Sequence, residues 1–135
     1  MKDSRINILY WIAMMLLIGY FAYMRGWILT NFELIDVKKA HSLIEEDKNI
    51  TILDVRTPLE FKREHIAGAT LISLDILESR LSELEYAKDR KILVYCHSGT
   101  RSLKASRILE SNGFVPINMV GGLIDWKREK FNLIK

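Results

Sequence analysis

The hydrophobic positions of the chain fall into two regions with different patterns. From Ile6 to Met24 the sequence INILYWIAMMLLIGYFAYM contains no charged residue. A helix of that length rises about 1.5 Å per residue and spans roughly 28 Å, close to the hydrocarbon thickness of a bilayer, about 30 Å. The pattern predicts a transmembrane helix over residues 6–24, after an N-terminal flank of residues 1–5.

Aromatic residues, which are typical of the membrane interface, lie toward the ends of this segment: Tyr10, Trp11, Tyr20, Tyr23 and Trp27. A cleavable signal peptide is the alternative, because Lys2 and Arg5 would form its positive start. The apolar run is long for a signal peptide, however, and the following FAYMRGW holds no small-x-small cleavage pattern. A retained membrane helix is therefore favoured over a signal peptide.

Charges flanking the apolar segment barely distinguish its two ends. Lys2 and Arg5 precede it, whereas Arg25 and the more distant Lys38 and Lys39 follow it. The chain has one cysteine and so forms no internal disulfide, which suits a reducing cytosol. We therefore expect the soluble part on the cytoplasmic face of the membrane.

The second region, residues 35–135, alternates apolar and amphipathic segments and follows a predicted connector, residues 25–34. Strands are predicted at residues 49–55, within 65–74, and at 91–95 and 115–120. Helices are predicted after Asp36, from Pro58, over 73–89 with Leu77, Leu81 and Leu84 on one face, from near Ser102 to Gly113, and at 123–131. This alternation predicts one α/β domain with a mostly parallel central sheet and helices on both faces.

Charge and motif content exclude several classes of partner. Of the net charge of +3, the segment up to Arg25 contributes +2, so the remainder is nearly neutral and has no nucleic-acid-binding footprint. One cysteine and three scattered histidines do not have the spacing of metal ligands, and no phosphate-binding glycine motif is present. We therefore expect no metal, no cofactor and no nucleic-acid partner.

The single cysteine, Cys96, directly follows the predicted strand KILVY. In open α/β sheets ligands bind beyond the carboxyl ends of strands, and Cys96 lies at such an end. The small, polar or basic residues after it allow backbone N–H groups to turn inward, and the next helix points its positive end at the same place. Such a setting favours the reactive thiolate. The alternative is a small buried residue that ends a strand, but this role requires neither the glycine-bearing loop nor Arg101.

Three motifs carry a family resemblance. The segment YCHSGTRS resembles the active-site loop of single-domain rhodaneses, sulfurtransferases that hold sulfur as a cysteine persulfide. ILDVRTPLEFKREHIAGA (residues 52–69) is similar to the upstream signature of that family, and VGGLIDW (residues 120–126) resembles its closing signature. The resemblance covers roughly residues 35–130 and implies a rhodanese-like fold.

The resemblance also implies roles for particular residues. Cys96 would accept sulfur, Arg101 would help to bind an anionic donor such as thiosulfate, and Asp54 and Arg56 would support the loop. The cradle around the outer sulfur would consist of His97, Ser98, Gly99, Thr100 and Arg101. Because the chain has no second cysteine, the acceptor must be cyanide, a small thiol or another protein. Two departures from the family pattern, Glu64 and Ala67, lie away from the cysteine and affect the expected turn geometry.

Alternative functions remain open from the sequence. Cysteine phosphatases also place Cys and Arg in a loop before a helix, but they separate the two by one residue more than the four found here. A membrane-tethered binding module without turnover is another possibility, against which the retained Cys96 and Arg101 argue. Among the other residues, His97 is either a donor ligand or a solvated loop residue, His65 is expected to make a structural hydrogen bond, and Gly121–Gly122 are expected to form a turn. The physiological donor and acceptor stay open.

Overall fold

The computed structural model describes residues 2–24 and 30–135, with side chains described from Ile6 onward in the first range. Residues 25–29 lie outside the described residues, and with them half of the predicted connector, including Trp27 and the flanking charge Arg25. The side chains of Lys2 and Arg5 lie outside them as well. The chain divides into two units, with the division between Thr30 and Asn31.

The first unit contains one helix, α1 (Lys2–Met24). Its segment Ile6–Met24 is long and apolar enough to cross a membrane, and the same description fits a signal sequence. Large apolar side chains are exposed along the helix. The helix includes the whole of the predicted segment, residues 6–24, and begins four residues earlier, at Lys2.

The second unit is a three-layer α/β structure. Its strands are β1 (Glu33–Ile35), β2 (Thr51–Asp54), β3 (Thr70–Leu71), β4 (Lys91–Tyr95) and β5 (Val115–Met119). Its α-helices are α2 (Val37–Glu46), α3 (Pro58–Arg63), α4 (Thr100–Ser111) and α5 (Gly122–Arg128). The strands form one parallel sheet in the order β1-β5-β4-β2-β3. The predicted α/β class and parallel sheet are confirmed.

The central strand β4 is buried on both faces, which explains its continuous apolar sequence. Val94 packs on one face in a cluster with Leu84 and Leu109, whereas Leu93 packs on the other with Trp126. Pairing with β2 on one side and β5 on the other fixes the direction of this strand. Its carboxyl end therefore lies at the middle of the sheet edge, and Cys96 follows there.

Two local predictions are wrong. Glu33 and Leu34, assigned from the sequence to the connector, belong to strand β1, whose three residues are too few to show a pattern. The segment predicted as an amphipathic α-helix over 73–89 instead forms two 3₁₀ helices, Leu74–Ile76 and Glu78–Ala87. Its buried residues Leu84 and Ala87 are three positions apart, which is the period of a 3₁₀ helix.

The ends of the helices near the site follow from local sequence. Thr57 and Glu60 form the predicted capping box at the start of α3, with Pro58 in the first helical position. Helix α4 begins at Thr100, two residues before the expected start near Ser102, and is preceded by Gly99. After its end, Gly113 adopts the left-handed conformation expected of a C′ glycine.

Candidate active site

Cys96 is fully buried at the carboxyl end of β4. Its Sγ accepts hydrogen bonds from the backbone N–H of Gly99 at 3.1 Å and of Ser102 at 3.4 Å. The thiol also donates to Ser102 Oγ at 3.5 Å. Ser102 is itself fully buried and was not among the candidate residues chosen from the sequence. Ser102 lies in the first turn of α4, and nothing in the sequence distinguished it except its closeness to Arg101.

The loop between Cys96 and α4 turns sharply enough to direct amide groups back to the sulfur. Gly99 has φ +101°, a left-handed conformation that favours glycine, and it places its N–H on the Sγ side. His97, Ser98 and Thr100 are exposed, and Thr100 starts α4. The sequence-predicted cradle is thus brought together as one loop, in which Gly99 supplies a described hydrogen bond to sulfur.

The closing glycine pair packs directly on this loop. Leu123 N–H donates to the Cys96 carbonyl oxygen at 3.0 Å, and Ile124 N–H donates to that of His97 at 3.1 Å. Gly122 approaches the same carbonyl groups so closely that a β-carbon would overlap them. Gly121 packs on Gly99, where a β-carbon would lie 3.2 Å from the Gly121 nitrogen. The glycine pair, which was predicted to form a turn, therefore also supports the backbone of the cysteine loop.

Asp54 and Arg56 form a buried ion pair at the end of the neighbouring strand β2. Arg56 Nε lies 3.0 Å from both carboxylate oxygens of Asp54, and Arg56 Nη2 donates to the Asp54 Oδ2 at 2.8 Å and to the Glu64 carbonyl at 2.7 Å. Burial by itself lowers the pKa of Arg56, but the hydrogen bonds and charge of Asp54 raise it above its ordinary value. This pair links β2 to the segment that follows α3.

The side chain of Tyr95 lies next to that of Arg56. Its ring centroid lies 5.8 Å from the Arg56 guanidinium carbon, and its hydroxyl accepts the Ile66 N–H at 3.1 Å. Burial, followed by the charge of Asp54, raises the pKa of Tyr95 far above its ordinary value. The phenol therefore stays neutral and acts as a fixed hydrogen-bonding group.

Arg101 is held by Glu60, a residue 41 positions earlier in the chain. Its two terminal nitrogens each donate to one carboxylate oxygen of Glu60 at 2.8 Å. Hydrogen bonding from Arg101 holds the pKa of Glu60 well below its usual range, and Thr57 adds to this effect. The same pairing raises the pKa of Arg101. The sequence assigned Glu60 only to the capping box, so its contact with Arg101 was missed.

A cleft of about 190 Å³ opens beside the cysteine loop. It is lined by Arg56, Glu60, Arg63, Glu64, His97 and Lys127. Lys127 forms an ion pair with Glu64 across it. The exposed His97 thus faces a charged cleft and lies within reach of a small polar ligand.

His65 has a structural role, as expected. Its Nδ1 lies 2.8 Å from the Phe61 carbonyl oxygen, and its ring stacks on Phe61 with centroids 3.7 Å apart. Its backbone also pairs with Ile134.

The geometry around Sγ suits a negatively charged sulfur. Two N–H groups point at the atom, and the twelve-residue helix α4 begins beside it with its positive end. In the part of the chain that the structure describes, no group of three or more His, Cys, Asp or Glu residues is placed to hold a metal ion. The two N–H groups and the start of α4 thus stabilise an anionic sulfur at this position.

Comparison with known proteins places this arrangement in a family. The family model described as the rhodanese-like domain matches residues 36–129. The chain belongs to the rhodanese-like domain family. The match runs from α2 to α5, leaves out strand β1, and includes all three motifs that suggested the resemblance.

Relatives of this rhodanese-like domain include proteins named for sulfur chemistry. A sulfurtransferase of Allochromatium vinosum is 30% identical over 101 residues, which are 74% of this chain and 92% of that protein. A putative sulfur carrier protein, YrkF, of Bacillus subtilis is 39% identical over 84 residues, 62% of this chain but only 44% of that protein. The thiosulfate sulfurtransferase PspE of Escherichia coli is 34% identical over 73 residues, 54% of this chain and 70% of that protein.

Solved structures agree with the fold of the domain. A rhodanese-like domain protein from Staphylococcus aureus has a TM-score of 0.65 at 30% identity, over 70% of this chain and 91% of that one. A rhodanese-related protein from Thermoplasma volcanium has a TM-score of 0.67 at 31% identity, over 76% and 98% respectively.

Proposed function

We propose that this protein is a rhodanese-type sulfurtransferase. It moves sulfane sulfur from a donor such as thiosulfate or a persulfide to a thiol, cyanide or protein acceptor, through a persulfide on Cys96. The observation that carries the proposal is the pair of N–H groups, from Gly99 at 3.1 Å and Ser102 at 3.4 Å, directed at a fully buried Sγ. The sulfurtransferase names of several relatives support the same reaction class.

The reaction follows from the nucleophilicity of a thiolate. The Cys96 thiolate attacks the outer sulfur of the donor with its electron pair, and the donor's sulfur–sulfur bond breaks with its pair leaving on sulfite or a thiolate. The persulfide that remains carries negative charge, which backbone N–H groups and the start of α4 stabilise. An acceptor nucleophile then attacks the outer sulfur, and the Cys96 thiolate is restored. Donor and acceptor thus react in turn, which gives ping-pong kinetics.

The other candidate residues surround this step. His97, Ser98, Gly99, Thr100 and Arg101 form the loop around the transferred sulfur. Arg101, the last residue of that loop, helps to bind an anionic donor such as thiosulfate. The buried pair of Asp54 and Arg56 fixes the end of β2, against which the loop is held. These roles agree with the placement of the residues at one edge of the sheet.

Steady-state sulfur transfer to cyanide, measured as thiocyanate, tests the proposal. The full-length protein in detergent should form thiocyanate from thiosulfate or from an organic persulfide, and Cys96→Ser should fall to the rate without enzyme. Cys96→Ala serves as a second variant, because it removes the nucleophile without adding a hydroxyl. Full activity in either variant, or inactivity of the wild type toward every donor, would reject Cys96 as the sulfur acceptor.

We further propose that α1 anchors the domain to the membrane, with the domain on the cytoplasmic side. The apolar Ile6–Met24 segment supports an anchor, since its exposed side chains need a lipid environment. The protein should stay in the membrane fraction after an alkaline carbonate wash. A protease added to intact cells should leave the domain uncut. Release by the wash would contradict the anchor, and cleavage from outside would contradict the orientation.

A further inference from the structure

Three cations near the cysteine loop are each paired with a carboxylate. Arg101 binds Glu60, Arg56 binds Asp54, and Lys127 binds Glu64. The residues Arg56, Glu60, Glu64 and Lys127 also line the charged cleft beside His97. The charges of these three cations are therefore compensated before a donor arrives, whereas Arg63, which lines the same cleft, forms no ion pair among the described residues.

The pairing of Glu60 with Arg101 is held from two sides. Glu60 accepts hydrogen bonds from both terminal nitrogens of Arg101. Its Oε2 also accepts hydrogen bonds from the N–H and from the hydroxyl of Thr57, each at 2.9 Å. The side chains of Arg101 and Glu60 are 34% and 29% exposed, so solvent screens the pair only in part. A donor that binds the Arg101 guanidinium must therefore break its bidentate contact with the Glu60 carboxylate, which the capping box holds in place.

This arrangement discriminates between donors by their charge. Thiosulfate is a dianion, so near this pair it meets the carboxylate of Glu60 as well as the guanidinium of Arg101. An organic hydropersulfide carries at most one negative charge, and it needs no free cation for binding. We propose that Glu60 is a specificity-determining residue, which neutralises Arg101 and favours organic hydropersulfides over dianionic thiosulfate as sulfur donors. This inference rests on the proposed sulfurtransferase function.

The favoured donor step is balanced without any further reactant. The Cys96 thiolate attacks the terminal sulfur of R–S–SH and forms the new sulfur–sulfur bond. The donor's own sulfur–sulfur bond breaks, its electron pair leaves with R–S⁻, and the proton stays on the Cys96 persulfide. The leaving thiolate carries a single charge, whereas thiosulfate would release dianionic sulfite beside Glu60.

Substitution of Glu60 by glutamine isolates its charge from its role in the helix. Glutamine at this position still completes a capping box, so α3 should keep its start. Glu83→Gln is the matched control, because Glu83 pairs with Arg80 on the exposed 3₁₀ segment and its loss changes the net charge equally. We compare kcat/KM for thiosulfate and for the hydropersulfide of 2-mercaptoethanol in the full-length protein.

The expected result is a change in donor preference. Glu60→Gln should raise kcat/KM for thiosulfate about tenfold, the size of one charge interaction near a protein surface. It should change kcat/KM for the hydropersulfide less than about twofold, because that donor has less charge to repel. Glu83→Gln should change neither value. Unchanged thiosulfate kinetics in Glu60→Gln, or an equal fall for both donors, would overturn the inference and leave Glu60 a purely structural residue.

A binding measurement separates this inference from the proposed function. In a Cys96→Ser background, which cannot transfer sulfur, calorimetry measures the affinity for thiosulfate itself. Added Glu60→Gln should tighten this binding about tenfold, for the same charge reason, whereas added Glu83→Gln should not. Absence of the tightening overturns the role of Glu60 even if the enzyme is active. Inactive wild-type protein with tighter binding in Glu60→Gln would instead reject only the proposed sulfur transfer.

Discussion

Gly122 packs against the carbonyl group of Cys96 at a distance that no other residue type allows. A β-carbon on Gly122 would lie 2.6 Å from the Cys96 carbonyl oxygen, and the residue has φ +57°. The next residue, Leu123, donates its N–H to that same oxygen at 3.0 Å. The start of α5 therefore fixes the backbone at the candidate nucleophile, although it contributes no side chain to the site.

Replacement of Gly122 by alanine should move the cysteine loop. The added β-carbon must displace backbone atoms, so we expect sulfur transfer to fall at least about tenfold, since sub-ångström misplacement of reacting groups is costly. The free energy of unfolding should fall by about 2 kcal/mol from strain and overlap. Urea unfolding and thiocyanate formation measure the two effects.

Gly113→Ala is the control for backbone strain alone. Gly113 also has a positive φ, +83°, but a β-carbon there meets only Lys88 Cε at an ordinary 3.8 Å, and it lies at the far end of α4. Gly113→Ala should lower the free energy of unfolding by about 1 kcal/mol and leave sulfur transfer unchanged. If Gly122→Ala kept full activity, the buttressing role of the glycine pair would be rejected.

The hydroxyl of Ser102 should stabilise the charged sulfur. In the resting protein Ser102 Oγ accepts from the thiol and donates to the Gly99 carbonyl at 3.0 Å, which also accepts the Leu103 N–H. The hydroxyl can therefore turn toward a thiolate without leaving that carbonyl unpaired. We expect Ser102→Ala to lower kcat/KM about tenfold at neutral pH, the worth of a hydrogen bond to a charged group. Ser102→Thr, which keeps the hydroxyl, should restore the rate.

Ser106→Ala is the matched control, because it removes a serine hydroxyl one turn further along the same helix. Ser106 is fully buried, and its Oγ has no hydrogen-bond partner among the described residues. Its removal should leave activity unchanged and stability equal or slightly higher. A loss in Ser102→Ala that Ser102→Thr did not recover would indicate packing and not charge stabilisation.

The strand pattern and the caps could be predicted from the sequence because their causes are local. KILVY is apolar from Ile92 to Tyr95 since β4 is buried on both faces there, and its bounds were predicted correctly. Strand β1 was missed because three residues at a sheet edge, only one of them buried, carry no periodicity. The leucines near residue 80 suit α and 3₁₀ helices alike, so the type of helix depended on tertiary packing.

Glu60 should make stability depend on pH in the acid range. Its pKa is lowered in the folded protein, so its contribution is fully present above the unfolded value, about 4.3, and is lost as the pH falls toward the folded value. Wild type should therefore exceed Glu60→Gln in stability at pH 7, and the difference should narrow steadily as the pH drops below about 4. Urea unfolding of both proteins across this pH range measures the difference in their free energies of unfolding. A constant difference would show that the Arg101 pair does not stabilise the fold through charge.

Arg56→Met should destabilise the domain strongly. It leaves the fully buried Asp54 carboxylate without its cation, which costs about 3–5 kcal/mol. Arg80→Met, which breaks the exposed pair with Glu83, should cost less than about 1 kcal/mol. Added Asp54→Asn should recover part of the loss in Arg56→Met. No recovery would mean that the penalty comes from lost packing and not from the unpaired charge.

The candidate site could be predicted only as far as it is continuous in the chain. Cys96 and the residues up to Arg101 are consecutive in the chain, and in the structure they form one loop that hydrogen-bonds back to the Cys96 sulfur. The contact of Arg101 with Glu60 joins residues 41 positions apart and depends on where α3 packs, which no spacing reveals. Ser102 was missed for a different reason: a serine in the first turn of a helix is common, and only its burial against Sγ distinguishes it.

Intact-mass measurement of the full-length protein after incubation with a sulfur donor tests the central claim most directly. We predict a gain of one sulfur atom per chain, located by peptide mapping on Cys96 and removed by cyanide as thiocyanate. Cys96→Ser, treated identically, should gain no sulfur. No added sulfur on the wild type with either thiosulfate or an organic hydropersulfide would contradict sulfur transfer through Cys96.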